Sequence, residues 1–200
     1  DEIYDQILMA KAKYNDLSIV DELIDKIKND NSTYWWQATR YIWHEKFEQV
    51  FEEQIFTIND DNYWMVFEIF EKFSIDKAEN LLEKHWGKLN QYNIFIQLAL
   101  IVSTEKLCFL VHNSIQDKNL AEVFQYFDLH WGYRTEGRKG IHRYAQILAI
   151  KPYIQYLDDH AKSDLFEICL KNGWKDYAIQ FIRPLLSGDC QYSPDINTLK

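Results

Sequence analysis

Apolar residues recur at intervals of three and four along most of the chain, the period of helices that turn one side toward a core. The opening stretch DEIYDQILMAKAKY puts Ile3, Ile7 and Ala10 on one face, joined by Tyr14. DLSIVDELIDKIKND follows with Leu17, Val20, Leu23 or Ile24, and Ile27, its charges falling on the other side. NDNST at 29–33 is a loop of helix-starting residues. A long helical stretch is then expected over YWWQATRYIWHEKFEQVFEEQIF, with Trp36, Ile42 or Trp43, Phe47, Val50 and Phe51 as core positions.

TINDDN breaks the pattern, and Asp60, Asp61 or Asn62 can cap YWMVFEIFEKF. Ser74 caps IDKAENLLEKHW, which ends at Gly87 or just after it. NQYNIFIQLALIVS is apolar on nearly every face and should be central, and Thr104 caps the helix that follows, TEKLCFLVHNSIQ. NLAEVFQYFDLHW runs into a Gly/Arg-rich loop. IHRYAQILAIK is stopped by Pro152, because the residue before a proline disfavours helix. AKSDLFEICLKNG ends on Gly173, WKDYAIQFIRPLL is the last helix, and residues 187–200 read as a polar tail. No segment shows convincing two-residue alternation.

A repeat is superimposed on this pattern. Trp43, Trp86, Trp131 and Trp174 lie 43, 45 and 43 residues apart, and HWG occurs at 85–87 and again at 130–132. A period of that size accommodates two helices and two short connections. The expected fold is therefore all-α, a HEAT/armadillo-like helical-repeat solenoid of about four to five helix pairs. Residues 1–186 would form a single repeat domain.

Composition agrees with helices. Three prolines and six glycines in 200 residues are too few for the turns of a β-sandwich or barrel. The net charge of −9 argues against a general nucleic-acid binder, whose affinity comes mostly from Lys and Arg on phosphates. Cys108, Cys169 and Cys190 are isolated, so neither a disulfide framework nor a zinc ribbon is expected, and a reducing cytoplasm is the simplest setting. The acidic opening does not resemble a secretion signal, and an opening at Asp1 fits a piece of a longer polypeptide or a processed chain. The longest apolar run, IFIQLALIV, is far too short to cross a membrane.

The loop HWGYRTEGRKGI at 130–141 concentrates three of the six glycines. GYRTEGRK nearly spells a phosphate-binding P-loop, but Arg138 stands where its lysine belongs and Lys139 where its Ser or Thr belongs. A helix, rather than the required strand, precedes it, so nucleotide hydrolysis is rejected. Arg134, Arg138, Lys139 and Arg143 instead offer four cations against Glu136, suited to a carboxylate-bearing partner, although a plain solvated connection explains them too. The second candidate surface is aromatic. Tyr34, Trp35, Trp36 and Tyr41, with Trp43, cannot all hide on one narrow helical stripe, and Tyr and Trp are favoured interface anchors.

No catalytic or metal-binding pattern emerges. The six histidines show no H-E-x-x-H or paired zinc spacing, no G-x-S-x-G is present, and no carboxylate pair stands out. No cofactor is expected.

The segments KHWGKLNQYNIFIQLALIVSTEKLCFLV and HWGYRTEGRKGIHRYAQILAIKPYIQYL resemble the C-terminal helical-repeat regions of large bacterial STAND-like NTPases linked to phage defence, over residues 74–186. The resemblance rests on the HWG corners and the Gly/Arg loop, and carries no catalytic residue. It implies repeats that recognise a target while the nucleotide-binding domain lies elsewhere. The expected function is thus a non-catalytic protein-recognition or scaffolding module, the sensor part of a larger bacterial defence protein, binding a protein partner or a neighbouring domain. Two alternatives stay open: a HEAT-like DNA base-excision enzyme, holding a lesion with Trp and Tyr, and a purely structural repeat segment.

Overall fold

The computed structural model describes residues 2–29, 34–57, 63–70, 72–125, 127 and 143–186. The fold is all-α, and no strand occurs among the described residues. The chain divides into two compact units, Asp1–Lys77 and Ala78–Lys200, with the boundary inside the first turn of one helix. The polar tail expected at 187–200, Cys190, and the cap candidates Asp60, Asp61 and Asn62 lie outside the described residues.

The first unit holds helices α1 (Glu2–Lys13), α2 (Val20–Asn29), α3 (Lys46–Gln54) and α4 (Tyr63–Phe70). Asn15, at φ 57°, ends α1, and the Asp16 carboxylate accepts from the Ser18 N–H at 3.1 Å to start a short 3₁₀ turn, Leu17–Ile19. On α2, Val20, Leu23 and Ile27 are buried as the periodicity predicts, whereas Leu17 is exposed. The α1 face Ile3–Ile7–Ala10–Tyr14 points to solvent, and α1 instead buries Leu8, Met9 and Ala12.

The continuous helix expected over 34–56 is interrupted. Tyr34–Arg40 forms a 3₁₀ segment, and α3 starts only at Lys46, whose N–H donates to His44 Nδ1 at 3.2 Å. In a 3₁₀ helix, residues three apart eclipse one another. Tyr34, Gln37 and Arg40 therefore share the outer edge, and the two residues after Tyr34 and after Gln37 turn inward. This geometry lets the adjacent Trp35 and Trp36 both be buried, at 2% and 3% exposure. Arg40 then forks onto Glu68 of α4, its Nε donating to one carboxylate oxygen at 2.6 Å and its Nη2 to the other. Phe51 of α3 packs edge-to-face on Trp36 and on Phe70, each at 5.8 Å between ring centres.

Among the described residues seven helices follow: α5 (Ile75–Leu89), α6 (Asn93–Val102), α7 (Glu105–Ser114), α8 (Leu120–Val123), α9 (Tyr144–Ile150), α10 (Asp159–Lys171) and α11 (Lys175–Leu186). Expected caps are in place: Ser74 Oγ accepts from the Lys77 N–H, and Thr104 Oγ1 from the Leu107 N–H, each at 3.3 Å. Residues 95–102 of α6 are all buried, and α6 packs on α7, α8 and α9, the central place its composition predicts. A 3₁₀ turn, Lys151–Tyr156, carries Pro152 in its first turn, where the missing N–H costs nothing. At the end of α10 the Trp174 N–H reaches back to the Cys169 carbonyl at 2.8 Å and the Gly173 N–H to Leu170 at 3.0 Å. With Gly173 at φ +75°, this is a Schellman stop, as the sequence suggests.

Among the described residues the tryptophans of the period do not all share one kind of position. Trp43 and Trp174 stand in connections just before α3 and α11, whereas Trp86 lies inside α5, which continues through Gly87 to Leu89. Trp131 is outside the described residues.

Candidate functional site

Of the four cations proposed for the Gly/Arg loop, Arg134, Arg138 and Lys139 lie outside the described residues, and only Arg143 can be placed. It stands extended (φ −115°, ψ 144°) at the N-cap of α9, its N–H donating to Gln146 Oε1 at 2.8 Å. Its guanidinium Nη2 donates to the carbonyls of Val102 and Ser103, the latter at 3.3 Å. Gln146 Nε2 donates to the carbonyl of Ile101. Three successive carbonyls at the C-terminus of α6, the negative pole of that helix, are thus answered by the first turn of α9. Arg143 is engaged inside the fold as a helix cap, and its Nε is buried without a partner.

The aromatic candidates also separate. Trp35 and Trp36, two of the proposed contact residues, are buried in the first unit. Trp36 Nε1 donates to Gln54 Oε1 at 3.2 Å, and Gln54 in turn donates to the Ile27 carbonyl at 3.1 Å, linking the 3₁₀ segment to α3 and α2. Trp35 lies under the Lys26 ammonium at 5.1 Å. Tyr34 and Tyr41 remain exposed, Tyr41 beneath Lys13 at 5.7 Å.

A different aromatic corner appears in the second unit. The Schellman stop sets Trp174 5.9 Å from Tyr144 of α9, and Tyr144 lies 5.4 Å from Tyr177 of α11, both pairs near-perpendicular. The Tyr144 hydroxyl donates to the Tyr177 hydroxyl at 3.0 Å, and that bond, with some burial, raises the Tyr144 pKa above the ordinary tyrosine range. Lys151 sits 5.3 Å above the Tyr177 ring. Tyr144 and Leu148, one turn apart on α9, are both exposed, so the corner continues into an apolar edge. The sequence carried half of this signal. Tyr144, Leu148 and Lys151 follow the i, i+4, i+7 rule, but Trp174 and Tyr177 join them only through tertiary packing.

The two described cysteines are poor nucleophiles. Burial pushes the Cys169 thiol up to about 12, and burial also raises that of Cys108, so both stay protonated near neutrality. Among the described residues no three His, Cys, Asp or Glu side chains converge on a point that could hold a metal ion. No described helix is long and apolar enough to cross a membrane.

No protein-family model matches the chain, and neither a curated protein nor a solved structure matches it.

Proposed function

We propose that the chain is a non-catalytic protein-recognition module, built as a helical-repeat array and acting as the sensor part of a larger bacterial defence protein. The observation that carries the recognition reading is the aromatic corner Tyr144–Trp174–Tyr177. It offers rigid amphipathic rings with polar hydroxyls on a fixed helical frame, the make-up of an interface anchor. Two features support the repeat architecture. Helices α6 and α7 pack together across the short connection Ser103–Thr104, and α10 and α11 do so across residues 172–174. The defence assignment rests on the sequence resemblance over residues 74–186.

The test is affinity capture from bacterial lysate, with and without phage infection, on the wild-type chain and on Trp174→Ala and Tyr144→Ala variants of unchanged circular dichroism. A protein held by the wild type and lost from both variants supports recognition through this corner. Nucleic acid held instead, and released by moderate salt, would replace the reading with a DNA-binding one.

A further inference from the structure

We propose that the outward face of α1 is a docking seam for an acidic amphipathic helix of a partner protein. The face consists of Ile3, Ile7 and Ala10 of α1 with Tyr14 of the turn just after it, whose N–H still donates to the Ala10 carbonyl at 3.2 Å; they are spaced four, three and four residues apart, the spacing with which one helix meets another along a seam. Ile3 is 69% exposed, Ile7 49% and Tyr14 88%, and Ala10 is exposed as well. Scattered exposed apolar residues are ordinary, but four in register form one continuous stripe.

The orientation of α1 is fixed by its other side. Leu8, Met9 and Ala12 are buried in the unit, Asp5 pairs with Lys26 at 2.7 Å, and the Tyr4 hydroxyl donates to Glu22. The outward stripe is therefore held in place by independent bonds on the inner side, with its own apolar groups left over.

Charge identifies the occupant. Lys11 and Lys13 flank the C-terminal half of the seam, where residues facing a partner helix set partner choice. Neither forms an ion pair among the described residues; Lys11 feels the field of Asp16, and Lys13 lies over the Tyr41 ring. Their place in the last turn favours the helix dipole, which accounts for a basic end but not for the stripe between them. At the positions that flank the seam the N-terminal half offers no anion in return, the exposed Glu2 of the first turn lying one position before Ile3 and outside them. Its flanking residues are Tyr4 and Gln6, and the carboxylates of Asp5 and Glu22 are committed to Lys26 and Tyr4. A second α1 laid along the seam would leave the lysines facing neutral groups. A heterologous helix with Glu or Asp beside its apolar seam answers both features.

This inference deepens the recognition reading and rests on it for the class of partner, but uses different residues. The probe is a displayed library of helical peptides of about 21 residues, three heptads long, with a fixed leucine seam and flanking positions drawn from Glu, Gln and Lys. It is selected on the whole chain. Glu is expected to be enriched at the flanks. The selected peptide should lose roughly tenfold or more in affinity on Ile7→Glu and keep its affinity on Trp174→Ala. The double change Lys11→Glu, Lys13→Glu should turn the flank preference to Lys. The proposal is overturned by no enrichment, by enrichment indifferent to flank charge, or by binding that Ile7→Glu leaves intact. It is equally overturned if the chain dimerises in sedimentation and Ile7→Glu restores the monomer, which would seat a second copy on the face. Any of these failures leaves the Trp174 test of recognition standing by itself.

Discussion

The Arg143 guanidinium donates to the Ser103 carbonyl at 3.3 Å across 40 residues of sequence, so the start of α9 is fastened to the end of α6. Truncating Arg143 removes this bond and its partner on Val102, leaving the α6 carbonyls short of donors. Arg143→Ala should cost about 1–3 kcal/mol in urea unfolding. Arg143→Lys should recover only part of that, since an ammonium lacks the planar fork. A loss below about 0.5 kcal/mol would show the cap to be dispensable and return Arg143 to the cations expected to meet a partner.

The features legible in the sequence are those decided within a few residues. Thr104 caps α7 because its hydroxyl reaches an N–H three residues on, and Gly173 ends α10 because only glycine adopts φ +75° without strain. The all-helical class follows from the same local chemistry. What stayed hidden depends on which face finds a partner. Helix α1 carries two apolar sides, and periodicity alone does not say that Leu8, Met9 and Ala12 would go inward while Ile3 and Ile7 would not. The Tyr144–Trp174 contact was unreadable for the same reason, being made by two helix ends 30 residues apart.

Trp36 separates core from surface in the 34–41 aromatic group. Its indole is buried, hydrogen-bonded to Gln54 and packed on Phe51. Trp36→Ala should destabilise the first unit by about 3–5 kcal/mol. Tyr41→Ala, at an exposed ring whose one described polar contact is Lys13, should cost at most about 1 kcal/mol. Thermal unfolding followed by tryptophan fluorescence checks both. Equal losses would refute the 3₁₀ facing that sends Trp36 inward.

The buried thiols give a signed pH dependence. Cys169 titrates near 9.0 when unfolded and at about 12 when folded. Below pH 9 both states hold the proton, and the thiol does not make stability depend on pH. Above it the unfolded chain releases a proton that the folded chain keeps, so stability falls from there toward pH 12. Cys169→Ala should flatten this alkaline decline. At pH 8 Cys169 should resist a thiol-reactive disulfide reagent in the folded chain and react at once in denaturant. Rapid labelling of the folded chain would mean an accessible thiolate and would reopen the case for a reactive cysteine.

Two glycines of the second unit should respond to alanine with opposite signs. A Cβ at Gly87 would meet nothing within 4 Å, and the residue lies inside α5. Gly87→Ala should therefore stabilise by about 0.5–1 kcal/mol, since alanine forfeits less backbone entropy in a helix. Gly173 also has open space, but its φ of +75° strains any L side chain, and Gly173→Ala should destabilise by about 1–2 kcal/mol. Each kilocalorie should move the melting point of this unit by about 4 °C, within reach of calorimetry. The outcome at Gly87 bears on the repeat. Stabilisation would make the first HWG an ordinary helical interior, as α5 places it. Destabilisation would mean that the chain turns at Gly87 in solution, and would restore the tryptophan period as a structural repeat.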